Sequence, residues 1–145
     1  KRLKKLRTHN ALKFVLAQEL RNEGAFVDVE CRVPDLYKRL ANGEIREAIV
    51  DLVVEWTGAG RRHLIDVTVR CPHAARYPAS ASRVGTAAAA GDKDKRDHYG
   101  PTLSPFAVDS FGRFGEGARI CLADLAADAS RYGKARAGRV VGIVV

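Results

Sequence analysis

Two apolar segments that each contain a single aspartate constrain the fold of this chain more than any other feature. They lie within IVDLVVEWTGAGRRHLIDVTVRCPH, residues 49–73, where the short stretch TGAGR separates them. Nearly continuous apolar runs of this kind are typical of central β-strands covered on both faces, and the short connection predicts a hairpin. A lone carboxylate buried in such a strand is costly unless its charge is compensated, so Asp51 and Asp66 need a partner.

The segments before this hairpin predict a helix and a further strand. THNALKFVLAQELRNEG has apolar residues at helical spacing, and the basic KRLKKLR before it either extends the helix or forms a basic arm over residues 1–7. AFVDVECRV alternates apolar and polar residues, which favours a half-buried strand, and PDLYKRLANGE favours a turn or a short helix. The apolar stripe expected on the first helix consists of Leu12, Val15, Leu16 and Leu20.

The segments after the hairpin continue an α/β pattern. TAAAAGDKDKRDHYG predicts a helix, LSPFAVDSFGRFG a strand and EGARICLADLAADASRYG an amphipathic helix, and residues 133–145 favour a tail or an extra strand. The core order is therefore α-β-β-β-α-β. We expect one domain over residues 1–145, a central mixed sheet of about four strands flanked by helices.

Charge and cysteine content limit the partners. The net charge of +8 over 145 residues, with a pI of about 9.8, favours a polyanion such as DNA, although a merely solvated basic surface is the alternative. Cys31, Cys71 and Cys121 show no zinc-binding spacing, which predicts reduced thiols in an intracellular protein. No apolar run is long enough to span a bilayer, so we expect no membrane partner.

The two aspartates predict a divalent-cation site. If their strands are neighbours, both carboxylates point to one side of the sheet and repel each other unless a proton or a cation is shared. Hard oxygen ligands suit Mg²⁺ or Mn²⁺, and the backbone carbonyl of Val67 is a candidate third ligand. Two exposed aspartates at a strand edge are the alternative.

The helix predicted over GDKDKRDHYG carries a lysine that could reach the two aspartates. Lys95 and Tyr99 are four residues apart and share a face, which continues backwards through the small residues Gly91 and Ala88. Such a face allows close approach to the strands, so that Lys95 reaches the carboxylates, assists an attacking water and stabilises charge on phosphorus. An ordinary solvated run of charges is the alternative.

Taken together, these motifs resemble a known family. Asp51, then DVTVRCP with Asp66, then Lys95 and Tyr99 as a KxxxY-like pair are similar to the PD-(D/E)xK restriction-like endonuclease domain of non-LTR retrotransposon and related reverse-transcriptase polyproteins. THN and SPFAVDSFGRFG also resemble segments of that domain, and the similarity covers roughly residues 8–132. The chain departs from the motif where Val50 precedes Asp51 and Thr68 stands two residues after Asp66. A literal Pro-Asp at residues 34–35 has no acidic strand at the matching distance.

The resemblance implies a restriction-endonuclease-like core and a Mg²⁺- or Mn²⁺-dependent endonuclease that nicks target DNA so that a reverse transcriptase can prime on the exposed 3′ hydroxyl. Asp51 and Asp66 would hold the metal, Lys95 would assist catalysis and Tyr99 would position Lys95. The domain would belong to a larger polyprotein with a reverse transcriptase, and would be nuclear in a eukaryotic retroelement. A catalytically inactive nucleic-acid-binding module with the same fold is the rival interpretation.

Further residues are candidates for supporting roles. Either Glu19 or Glu30 is a candidate additional metal ligand, and a surface glutamate is the alternative for each. Four arginines around the acidic strands are candidates for contacts to DNA phosphates: Arg61, Arg62, Arg70 and Arg76. No base-reading motif is present, so we expect DNA binding to be largely independent of sequence.

Overall fold

A computed structural model describes residues 2–71 and 86–133 of the chain. Within these ranges the helices are α1 (Arg2–Asn22), α2 (Thr86–Tyr99) and α3 (Glu116–Tyr132). The strands are β1 (Phe26–Arg32), β2 (Lys38–Arg39), β3 (Ile45–Arg46), β4 (Ile49–Glu55), β5 (Arg62–Arg70) and β6 (Leu103–Asp109), with a short 3-10 helix at Pro34–Leu36. The predicted order of the main helices and strands is confirmed, and the short strands β2 and β3 are additional to it. Residues 134–145 of the predicted tail lie outside the described residues.

The main sheet contains four strands in the order β1-β4-β5-β6. β1 pairs antiparallel with β4, β4 pairs antiparallel with β5, and β5 pairs parallel with β6. The parallel pair requires a crossover, which contains α2. The two apolar strands β4 and β5 are therefore central, as their composition predicts, and the chain is a mixed α/β structure.

Helices cover both faces of this sheet. Ala17 of α1 and Leu125 of α3 belong to one core cluster with Val54, Ile65 and Phe106 of the strands. α2 lies on the opposite face. A side chain at Gly91 would place its Cβ 2.9 Å from Cγ2 of Thr68 and 3.1 Å from Cβ of Ala107, so only glycine allows α2 to lie this close.

The N-terminal basic segment continues α1, because the helix begins at Arg2 rather than at Thr8. One member of the predicted apolar stripe does not face the core. Leu20 is buried and Leu12 and Leu16 pack against the core, but Val15 is 61% exposed. The buried face of α1 passes instead through Ala17 and, unexpectedly, Lys13, which is 2% exposed.

A small hairpin connects β1 to β4. β2 and β3 pair antiparallel, and a turn through Asn42 and Gly43 joins them, with Gly43 at a positive φ of 86°. Glycine suits this left-handed backbone because it has no Cβ to clash. The hairpin contacts α2 through a hydrogen bond from Lys38 Nζ to the carbonyl of His98.

Candidate active site at a fork in the sheet

The candidate site lies where the two central strands separate. The β4–β5 ladder runs from Glu55 opposite Arg62 to Leu52 opposite Ile65 and ends there, while β5 stays paired with β6 as far as Arg70. The next pair in the β4–β5 register would be Asp51 and Asp66. The fork between the strands therefore begins at the two aspartates, and it leaves backbone groups of β5 available for other partners.

The side chain of Asp51 bridges the two strands at this fork. Its Oδ2 accepts a hydrogen bond of 2.7 Å from the backbone N–H of Val67, a group that β4 would otherwise satisfy. The carboxyl group of Asp51 is close enough to that of Asp66 to raise its pKa, so the two aspartates lie near one point. The structure thus brings together the pair that the sequence predicts.

Helix α1 supplies two basic side chains to this point. His9 Nε2 lies 3.2 Å from Asp51 Oδ2 and 3.1 Å from the carbonyl oxygen of Val67. Lys13, one helical turn later on the same face, places Nζ 3.8 Å from Asp51 Oδ1 and 2.6 Å from Glu30 Oε1. Since Lys13 is buried, these carboxylates compensate a charge that would otherwise be costly.

Helix α2 approaches from the opposite face. Lys95 Nζ forms an ion pair with Asp66 Oδ2 and lies 5.7 Å from the ring centroid of Tyr99. The close packing at Gly91 and the fully buried Ala88 bring this helix near the strand, in the register that the small-residue face predicts. Lys93 points elsewhere and pairs with Asp97 at 2.5 Å on the surface.

The two aspartates have opposite electrostatic environments. Burial raises the pKa of Asp66 to about 6, although the neighbouring Lys95 opposes this shift. Burial also acts to raise the pKa of Asp51, but hydrogen bonds from His9 and from the Val67 N–H outweigh it and lower that pKa. The hydrogen bond to Asp51 in turn raises the pKa of His9. Asp66 is therefore the member of the pair that holds a proton most readily.

The oxygen donors at the fork fit a hard divalent cation. Two neighbouring carboxylates beside a backbone carbonyl offer the ligands that Mg²⁺ takes from proteins, which are one or two carboxylates with water or phosphate in the other positions. Over residues 2–71 and 86–133, no group of three or more His, Cys, Asp or Glu side chains has the arrangement of a metal site. The candidate ligands are Asp51, Asp66 and the carbonyl of Val67.

The two candidate supporting glutamates occupy different places. Glu30 lies in β1 with a positive φ of 55° and reaches the site only through Lys13. Glu19 is exposed on α1, ten residues beyond His9, which corresponds to about 15 Å along the helix axis. The structure does not bring Glu19 to the fork.

The candidate arginines separate into two groups. Arg70 lies at the fork end of β5, where it lines the groove beside Lys95 and pairs with Asp94 at 2.6 Å. Arg61 and Arg62 lie at the opposite end of the strand. Arg61 forms two hydrogen bonds with the buried Asp128, and Arg62 pairs with Asp35 at 3.4 Å. Arg76 lies outside the described residues.

Sequence reasoning missed His9 and Lys13. The sequence does contain a pattern that indicates them. The two residues are four positions apart, and both lie on the side of α1 that carries its apolar residues. A basic pair on the core side of a helix is costly unless acidic groups face it. That pattern points to the lone Asp51 in the neighbouring strand.

Comparison of the chain with models of protein families, with curated protein sequences and with solved structures finds no match. In the part of the chain that the structure describes, no helix is both long and apolar enough to cross a bilayer.

Proposed function

We propose that this domain is a Mg²⁺- or Mn²⁺-dependent DNA endonuclease with a restriction-endonuclease-like core. The observation that carries the proposal is the pair of neighbouring carboxyl groups of Asp51 and Asp66 at the sheet fork, with Lys95 against Asp66. The sheet supports it as well, because a mixed sheet of four strands flanked by helices, in the α-β-β-β-α-β order, agrees with the core that the motif resemblance leads us to expect.

A divalent cation would be held by the carboxylates of Asp51 and Asp66 and by the carbonyl of Val67. When bound, it supplies Lewis acidity and neutralises charge on a phosphodiester. The chain's own residues prepare its place. The N–H of Val67 and the ring of His9 fix the orientation of the Asp51 carboxylate, and α2 encloses Asp66 from the other face.

Lys95 is the side chain that acts on the substrate. Its ammonium group pairs with Asp66 when no phosphate is present. In the complex with DNA it donates hydrogen bonds to a non-bridging phosphate oxygen or to the attacking water, which stabilises the charge that develops on phosphorus. The nearby ring of Tyr99 limits the directions in which the Lys95 side chain extends, so Tyr99 is a positioning residue.

The biological setting that we propose is a retroelement. Nicking of one strand would leave a 3′ hydroxyl on which a reverse transcriptase of the same polyprotein primes synthesis. Such a protein acts inside the cell, and in the nucleus if its host is a eukaryote. The DVTV segment around Asp66 and the spacing from Lys95 to Tyr99 support this setting.

A catalytically inactive nucleic-acid-binding module is the second candidate. One observation favours it: both carboxylates already have basic partners within the chain. His9 contacts Asp51, and Lys95 pairs with Asp66, so the fork is electrostatically compensated without a cation. The two candidates share the fold and the basic charge, and they differ in what happens to DNA when a metal is added.

Nicking of supercoiled plasmid separates them. We expect the purified domain to produce relaxed circles with Mg²⁺ or Mn²⁺ and none with a chelator, and the nicks to carry 3′ hydroxyls that a polymerase extends. Asp51→Asn should abolish nicking, whereas Asp28→Asn, which alters an exposed aspartate of β1, should leave it unchanged. DNA binding without metal-dependent nicking would support the inactive module instead.

A further inference from the structure

The positive charge of this chain is concentrated at its N-terminal end. Residues 1–18 contain six Lys or Arg residues and no Asp or Glu, so this segment accounts for six of the eight units of net positive charge. Because α1 begins at Arg2, five of these six residues stand on a helix that the sheet holds in place. Lys4, Lys5 and Arg7 are exposed on it.

A groove leads from the candidate site along this helix. Its first part has a volume of about 480 Å³ and lies between α1, the end of β5 and Lys95. Its second part, about 550 Å³, lies between α1, Cys71 and the turn after β6. Lys5 and Val69 line both parts, so the two adjoin. We call these two adjoining parts together the α1 groove.

Basic groups line the α1 groove along its length. Lys95 stands at the candidate site, Arg70 beside it, Lys5 where the two parts meet and Lys4 in the second part. Lys5 is one helical turn before His9 on the same face, which places it roughly 6 Å further along the helix axis from the carboxylates. A row of cations that begins at a phosphodiester-cleaving site matches a continuous polyanion better than a small ligand.

Arg70 retains hydrogen-bonding capacity for a phosphate. Its Nη2 donates to Asp94, and among the described residues its buried Nε has no hydrogen-bond partner, so a small rotation of the side chain would bring this donor to a phosphate in the groove. A guanidinium group carries five N–H donors in a planar fork that suits phosphate oxygens. Arg70 is thus the residue that joins the candidate site to the lysines of α1.

We propose that the α1 groove holds the DNA backbone next to the phosphate that is cut, with Lys4, Lys5 and Arg70 contacting the flanking phosphates. The statement that the bound DNA leads to the phosphate that is cut rests on the proposed endonuclease function, but the binding of DNA in the groove does not. The inference differs from the sequence-based expectation for Arg61 and Arg62. Arg62 begins β5, about 27 Å from Arg70 at the usual rise of a strand, Arg61 immediately precedes it, and each pairs with an aspartate.

The test compares two double variants that remove the same charge. Lys4→Gln with Lys5→Gln alters the α1 groove, whereas Arg62→Gln with Arg119→Gln alters exposed residues that do not line it. Binding to a short fluorescent DNA duplex is measured by anisotropy in a chelator, so that no cleavage occurs. Circular dichroism checks that both variants retain their helices.

We expect the lysine variant to bind about tenfold more weakly in low salt and the slope of log K against log salt to fall by about two, one for each lysine that no longer neutralises a phosphate. The arginine variant should stay within about twofold of the parent. Equal weakening in the two variants, or unchanged binding in the lysine variant, would overturn the proposal. Tighter binding to RNA of the same sequence would also overturn it, because the proposal commits to DNA.

The same samples distinguish this proposal from the proposed function. If the parent domain binds DNA through the lysines of α1 but never nicks it with Mg²⁺ or Mn²⁺, the α1 groove stands and the endonuclease function fails. If the lysine variant binds as tightly as the parent while nicking persists, the endonuclease function stands and the α1 groove fails.

Discussion

His9 on α1 and Asp51 on β4 are in direct contact, with Nε2 of the imidazole 3.2 Å from Oδ2 of the carboxylate. The contact joins residues 42 positions apart, and the same nitrogen lies 3.1 Å from the carbonyl of Val67 on β5. Three elements therefore meet at one point of the sheet fork. Because α1 also carries the basic row of the α1 groove, this contact fixes the position of that groove relative to the carboxylate pair.

Ionisation of Asp66 should destabilise the metal-free protein. Its pKa is about 6 in the folded chain, against an ordinary value of 3.8, so the folded state binds the proton more tightly than the unfolded state. This contribution to stability is fully present below pH 3.8 and is lost as the pH rises through 6. In a chelator, Asp66→Asn should therefore gain stability relative to the parent at neutral pH, by roughly 1–3 kcal/mol, and little gain should appear in acid. Chemical denaturation across this pH range measures the difference in the free energy of unfolding between the variant and the parent. A difference that does not change with pH would contradict the raised pKa of Asp66.

Lys95 and Lys93 should differ in their effect on cleavage. Lys95 pairs with Asp66, whereas Lys93 pairs with Asp97 on the surface. Lys95→Ala should slow plasmid nicking by roughly two orders of magnitude or more, the scale for loss of one group that stabilises a transition state. Lys93→Ala, the matched control, should stay within a few-fold of the parent. A larger effect at Lys93 would show that the wrong face of α2 has been assigned to the site.

Asp128 should matter for stability rather than for DNA. It is 5% exposed and accepts hydrogen bonds from Arg61 and from the buried His63. Asp128→Ala leaves His63 without its partner in the core and should lower the free energy of unfolding by about 2–4 kcal/mol. The exposed Asp124 is the control, and its replacement by alanine should change that free energy by less than about 0.5 kcal/mol. Equal effects in urea denaturation would contradict the prediction.

DNA binding without metal should depend steeply on salt and weakly on sequence. The charge of +8, the basic α1 groove and the absence of a base-reading motif in the sequence motivate this expectation. Four or more phosphate contacts would lower the affinity by about two orders of magnitude or more between roughly 50 and 200 mM salt. Anisotropy titrations with duplexes of unrelated sequence measure both properties. A nearly flat salt dependence, or a strong preference for one duplex, would contradict it.

The strands and the carboxylate pair were predictable because both depend on local patterns. The apolar runs around Asp51 and Asp66 indicate buried central strands, and one short connection makes the strands neighbours, so the two acids must lie close together. The face of α2 was predictable for a similar reason, since Gly91 and Ala88 mark where a helix can approach a strand closely.

The contribution of α1 was not predictable to the same degree. Helical periodicity identifies a stripe but not its rotation relative to the sheet, and Val15 is exposed where Lys13 is buried. That rotation depends on contacts between distant residues, such as Lys13 with Glu30 and His9 with Asp51. The roles expected for Arg61 and Arg62 depended in the same way on partners that the local sequence does not reveal, because Asp128 and Asp35 are far away in the chain.

The central claim is that Asp51 and Asp66 share one divalent cation, and titration of the purified domain with Mn²⁺ near neutral pH, followed by electron paramagnetic resonance, tests it most directly. The account predicts one specific Mn²⁺ site per chain. The site should disappear in Asp51→Asn and in Asp66→Asn, and it should persist in Asp28→Asn, which removes an equal charge from an exposed position of β1. Absence of a specific site in the parent, or the same site in either fork variant, would contradict the claim.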